Sequence, residues 1–137
     1  MNNSLQELQK LYEDYIVLAY AVRVQSPYGA SFMSSQKDPK LDPCHSAFYE
    51  AVGAILTRFV GKPDGDPEPL LRWMLQAPEV NKEQIAYWYL VAALNHAKLL
   101  IPLFSSQQRK NICNWYSQMI PKRQRYPIQE EILRLLK

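Results

Sequence analysis

At Asp42-Pro43 and Asp66-Pro67 an aspartate before a run of periodic apolar residues is followed directly by proline, and Pro127 opens a third such segment. Aspartate is a favoured helix N-cap. Proline suits the first helical position because its fixed φ matches the helix and its missing N–H has no intrahelical partner there. Gly61 followed by Lys62-Pro63-Asp64-Gly65 is a helix stop and then turn chemistry, and Pro102 and Pro121 are expected to end or kink the helices before them. With four glycines against ten prolines, a fold of many short strands would lack its turn residues. The punctuation predicts helices.

Between these marks the apolar residues recur at helical spacing. Leu5, Leu8, Tyr12, Tyr15, Ala19 and Val22 fall on one stripe of a first helix. A second, starting at Asp42, carries Phe48, Val52, Ile55 and Phe59 on a large face and Ala47, Ala51 and Ala54 on a small one that admits close approach of another helix. Leu70, Leu71, Met74 and Leu75 are the buried candidates of a short third helix. Asn81 and Gln84 have capping-box spacing, flanked by Val80 and Ile85 as a hydrophobic staple. A fourth helix is therefore expected near 82–101, and its almost continuous apolar character from Ile85 to Leu94 marks it as central. Ser105 and Gln108 offer a second capping box for a fifth helix with Ile112, Trp115, Tyr116 and Met119. Ile128, Ile132 and Leu135 form the stripe of a sixth.

The expected architecture is all-α, a compact orthogonal or bundle-like domain of about six helices spanning residues 1–137. It is interrupted by one long loop at 25–41, in which Tyr28, Phe32 and Met33 suggest partial burial and one helical turn. The start Met1-Asn2-Asn3-Ser4-Leu5-Gln6-Glu7 lacks a basic, then apolar leader, and no stretch approaches a membrane span, so a cytoplasmic protein with no membrane role is expected. Cys44 and Cys113 are expected as free thiols.

Signatures of chemistry are few. Cys44 and His45 are adjacent, while His96 and Cys113 stand alone on separate predicted helices, so no zinc spacing is present, and no metal or cofactor is expected. His45 falls in a first helical turn, where the dipole disfavours its charged form. His96 shares an apolar face with Ile85, Tyr89, Ala92 and Leu99. No nucleophile turn, phosphate loop or paired histidine motif occurs, and no catalytic residue is assigned. An enzyme would have to be centred on His96 or His45.

Charge is more informative. Residues 1–104 carry 9 Lys and Arg against 11 Asp and Glu, a net of −2, and residues 105–137 carry 7 against 2, a net of +5. Arg109-Lys110 and Lys122-Arg123-Gln124-Arg125-Tyr126 mark two poles at either end of the fifth helix. These residues are the candidate partner-binding surface of a non-enzymatic helical interaction or regulatory module with a protein partner, an acidic one being favoured, together with the 25–41 loop. The alternative is a nucleic-acid-binding regulator, with Trp115, Tyr116 and Tyr126 stacking on bases beside the cations. Against it, Lys122 and Arg123 also complement a helix C-terminus, and a total charge of +3 is small. Nine tyrosines, among them Tyr12, Tyr15, Tyr20 and the run Tyr87-Trp88-Tyr89, leave a homo-oligomer open.

Overall fold

The computed structural model describes residues 3–25, 42–81 and 90–137. All their regular structure is helical: α1 (Asn3–Gln25), α2 (Asp42–Gly61), α3 (Pro67–Asn81), a 3₁₀ helix (Ala92–Leu103), α4 (Ser106–Met119), a 3₁₀ turn (Lys122–Gln124) and α5 (Pro127–Leu136). The 25–41 loop beyond Gln25, and residues 82–89 of the expected central helix, including Tyr87-Trp88-Tyr89, lie outside the described residues.

The first helix buries the stripe its spacing predicts: Leu8, Tyr12, Tyr15 and Ala19 are in the core, with Leu5 and Val22 partly covered. Tyr12 stands edge-on to Phe48 and Trp73, ring centroids 4.8 and 4.9 Å away, and Tyr15 stacks on Phe48 at 4.1 Å. These rings lock α1 onto α2 and α3. The far end of the α1–α2 pair is closed by polar groups. The buried Ser4 donates from both its backbone N and its Oγ to Asp64 Oδ2 at 2.9 Å, and Arg58 reaches Ser4 Oγ at 3.3 Å and Glu7 Oε1 at 2.8 Å. Asp64, in the turn after α2, thereby takes up an N–H in the first turn of α1, which has no partner within its own helix.

The described part of the central element lies where a helix is expected but is wound differently. The segment 92–103 packs against α2, α3 and α5, and so joins the two halves of the molecule. It is a 3₁₀ helix of 12 residues, where runs beyond three or four are uncommon. Val91, Leu94, Ala97 and Leu100 recur every third position and are buried, with Ala93 and Ile101 buried beside them. Pro102 does not end it; the helix runs on to Leu103.

Its expected start, with Gln84 as the capping partner, lies outside the described residues. Asn81 is the last described residue of α3, and its Nδ2 donates to the Ala77 carbonyl at 2.9 Å. The third helix continues to that point through Pro78, which is buried inside it. The cap signals at Asp66 and Ser105 hold: Glu68 N donates to Asp66 Oδ1 (3.0 Å), Gln108 N donates to Ser105 Oγ (3.2 Å), and Ser105 N donates back to Gln108 Oε1 (2.9 Å). The last helix is rotated from the expected stripe. Gln129, Ile132, Leu133 and Leu136 are buried, Ile128 is partly covered, and Leu135 is 44% exposed. Gln129 explains the rotation, because its Oε1 is drawn inward to accept from Tyr126 N at 2.8 Å.

Candidate functional site

The basic residues singled out from the sequence fall into two kinds. Arg109 donates from Nη1 to the Phe104 carbonyl at 2.8 Å and from Nη2 to Ser106 Oγ at 3.3 Å. Arg125 donates from Nε to the Ile120 carbonyl (3.2 Å) and from Nη2 to the Ser117 carbonyl (3.0 Å). Both guanidiniums clamp backbone carbonyls at element ends, where the helix dipole favours a cation. Lys110, Lys122 and Arg123 are exposed, and among the described residues they form no ion pair. The two poles stay apart, separated by about 20 Å along the 14 residues of α4.

The aromatic residues beside them are turned inward. Tyr116 is fully buried, Tyr126 packs partly covered against the core, and Trp115 has the Arg72 guanidinium 5.0 Å from its ring centroid. Arg72 is in turn held by Glu68 at 3.0 Å.

Between α4 and α5 the structure opens a polar cleft of about 460 Å³ that sequence spacing did not reveal. Cys113, Asn114 and Ser117 line one wall, Glu130, Leu133, Arg134 and Lys137 the other, and Arg125 also borders it. Three side-chain cations face one carboxylate there. Arg134 and Lys137 carry a weak sequence signal, the recurrence of Glu130, Arg134 and Lys137 at helical spacing on the side of α5 away from its apolar stripe.

A second concavity, of about 680 Å³ between α1 and α2, has an apolar base that includes Leu11, Ala51, Ala54 and Ile55. Ala51 and Ala54 of the small-residue stripe of α2 therefore line an open groove among the described residues. Its rim charges are spoken for: Lys10 pairs with Asp14 at 3.0 Å and Glu7 with Arg58 at 2.8 Å.

The histidines, far apart in sequence, gather on one side of α2. His45 Nδ1 lies 3.2 Å from the Tyr15 hydroxyl, its ring is 6.4 Å from that of Tyr49, and the Tyr49 ring is 4.1 Å from His96. Asn95 donates to the Tyr49 hydroxyl at 2.8 Å. His96 lies flat against Gly53, where an added Cβ would come 2.7 Å from its Cε1. Its buried Nε2 has no hydrogen-bond partner among the described residues. Cys44 and Cys113 are free thiols, and among the described residues no three His, Cys, Asp or Glu side chains converge as metal ligands would.

Burial pushes the His96 imidazole below its ordinary value of 6.5, with the Tyr49 backbone opposing more weakly. The folded ring therefore binds its proton less readily than the unfolded one. The stability it contributes is complete above about pH 6.5 and lost as pH falls through the lowered folded value, because the unfolded chain then takes up more protons. Relative to His96→Gln, wild type is expected to lose stability between pH 7 and 5, with a slope below about 1.4 kcal/mol per pH unit, the limit for one proton. Thermal unfolding across that range measures it; parallel curves would mean that the ring titrates as if in water.

No protein-family model, curated protein sequence or solved structure matches the chain. No described helix is long and apolar enough to cross a membrane.

Proposed function

We propose that this protein is a non-enzymatic helical interaction module that binds an acidic protein partner through the basic surface of its C-terminal quarter. The observation that carries the reading is how the cations and aromatics divide. Lys110, Lys122 and Arg123 stand in solvent, while Trp115, Tyr116 and Tyr126, which a nucleic-acid surface would offer to bases, are engaged within the fold. Charge without stacking platforms suits carboxylates better than single-stranded bases. A cytoplasmic site of action goes with this reading. So does pairing of two copies through the exposed Val17, Leu18 and Tyr20 of α1.

The test reverses only the charges that hold nothing else. Lys110→Glu, Lys122→Glu and Arg123→Glu together are expected to leave the thermal midpoint within a few degrees of wild type, since exposed substitutions away from such contacts usually cost under about 0.5 kcal/mol each. Reversing Arg109 or Arg125 would instead strip carbonyl clamps and confuse folding with binding. Affinity capture from lysate, with and without nuclease and at two salt concentrations, should return a protein that survives nuclease and is lost with the triple variant. Capture that nuclease abolishes and salt steeply weakens would move the assignment to nucleic acid. A partner retained unchanged by the triple variant would refute the basic surface.

A further inference from the structure

We propose that the cleft between α4 and α5 is a carboxylate-binding subsite that seats an aspartate or glutamate side chain of an acidic peptide segment; the proposal rests on the reading of the basic C-terminal surface as a protein-binding face. The cleft differs from the rest of that surface in shape and in charge balance. It is a concavity of about 460 Å³ whose two main walls are the packed helices α4 and α5, with Arg125 in the connection between them and Lys137 just past the end of α5. Arg125, Arg134 and Lys137 face it against Glu130, a side-chain net of +2. Glu130 forms no ion pair with any of the three. This contrasts with the α1–α2 groove, where the rim carboxylates are already paired.

Arg125 gives the subsite its fixed point. Its hydrogen bonds to the Ser117 and Ile120 carbonyls, at 3.0 and 3.2 Å, set the orientation of the guanidinium before any ligand arrives. Those bonds use two of its five N–H donors and leave three for an anion. A side chain ordered in advance loses less entropy on binding, and the planar fork matches a carboxylate. Arg134 and Lys137, exposed at the opposite wall, supply the remaining charge, and Asn114 and Ser117 add polar groups that tolerate a charged guest. An ion pair made in a recess is less screened than one on open surface, which makes the cleft the preferred seat among the basic residues of this quarter.

The probe is an end-capped hexaglutamate peptide titrated into the full-length, ¹⁵N-labelled protein at low salt. Amide shifts are expected at Asn114, Ser117, Arg134 and Lys137 and at the Arg125 Nε–H. Affinity should fall by about tenfold or more in Arg134→Gln/Lys137→Gln, and less in Lys110→Gln/Lys122→Gln/Arg123→Gln. Both variants change exposed side chains, and an unchanged thermal midpoint verifies their fold. No shifts in the cleft, or shifts that Arg134→Gln/Lys137→Gln leaves intact, would overturn the subsite. Tighter binding of hexathymidylate at the same amides would overturn it in favour of phosphate. A cellular partner that is lost with the triple charge reversal while the cleft stays silent would sink this inference alone. A cleft that takes the peptide in a protein that captures nothing would sink only the broader reading.

Discussion

Truncating Tyr12 to alanine is expected to destabilise the protein by about 3–5 kcal/mol, the range for removing a fully buried aromatic ring, whereas Tyr12→Phe is expected to leave stability unchanged or raise it by up to about 1 kcal/mol. The ring is 1% exposed and stands edge-on to both Phe48 and Trp73, so its loss opens a cavity where α1, α2 and α3 meet. Three elements border that cavity and none can close it without moving the others. The hydroxyl is a different matter. It is buried with no hydrogen-bond partner among the described residues, and burial pushes the phenol well above its ordinary pKa. An unpartnered buried hydroxyl has lost its water without compensation, and removing it returns part of that cost. Chemical denaturation of the two variants decides the matter. A large loss in Tyr12→Phe would mean that the hydroxyl is bonded after all.

The second large effect is expected at Gly53. Alanine in place of a mid-helix glycine ordinarily stabilises by about 1 kcal/mol. Here the new Cβ would sit 2.7 Å from His96 Cε1, 3.0 Å from Nε2 and 3.1 Å from Nδ1. The ring cannot simply swing away, since Tyr49 packs against it with centroids 4.1 Å apart. Overpacking of this kind costs about 1–3 kcal/mol, so Gly53→Ala should be destabilising by roughly 1–2 kcal/mol net. The sign should reverse in a His96→Ala background, where the methyl enters vacated space and the helix-propensity gain of about 1 kcal/mol remains. A double-mutant cycle by thermal or urea unfolding reads both. Gly61, with nothing within 4 Å of its would-be Cβ, offers a control without a clash.

These two sites also show what was legible from the sequence. The stripe that carries Tyr12 was visible because its contacts follow from positions three and four apart on one helix. The caps at Asp66 and Ser105 were visible for the same reason, each being completed within three residues. The meeting of Gly53 with His96 was not, since it depends on how α2 crosses the 3₁₀ segment. The buried face of Met74, Leu75, Ala77 and Pro78 carries α3 up to Asn81, whose amide turns back to Ala77, while the expected capping partner Gln84 lies outside the described residues. Of the candidate surface, sequence yielded the sign of the charge but not its division of labour. Arg109 and Arg125 read like Lys110 and Arg123 until the carbonyls they hold are in view. The cleft needed Arg134 and Lys137 to be brought opposite Asn114 and Ser117, a consequence of α4 pairing with α5.

The winding of the central segment sets a length as well as a packing. A 3₁₀ helix rises about 2.0 Å per residue against about 1.5 Å for an α-helix, so the 12 residues from Ala92 to Leu103 span about 24 Å where an α-helix would span about 18 Å. The start of α4, which follows at Ser106, thus stands about 6 Å farther from Ala92 than the same residues would place it in the commoner winding, or roughly one α-helical turn. Rewinding the segment would draw the start of α4 toward Ala92 by that amount and shift the register that sets Lys98 2.8 Å from Glu131 of α5.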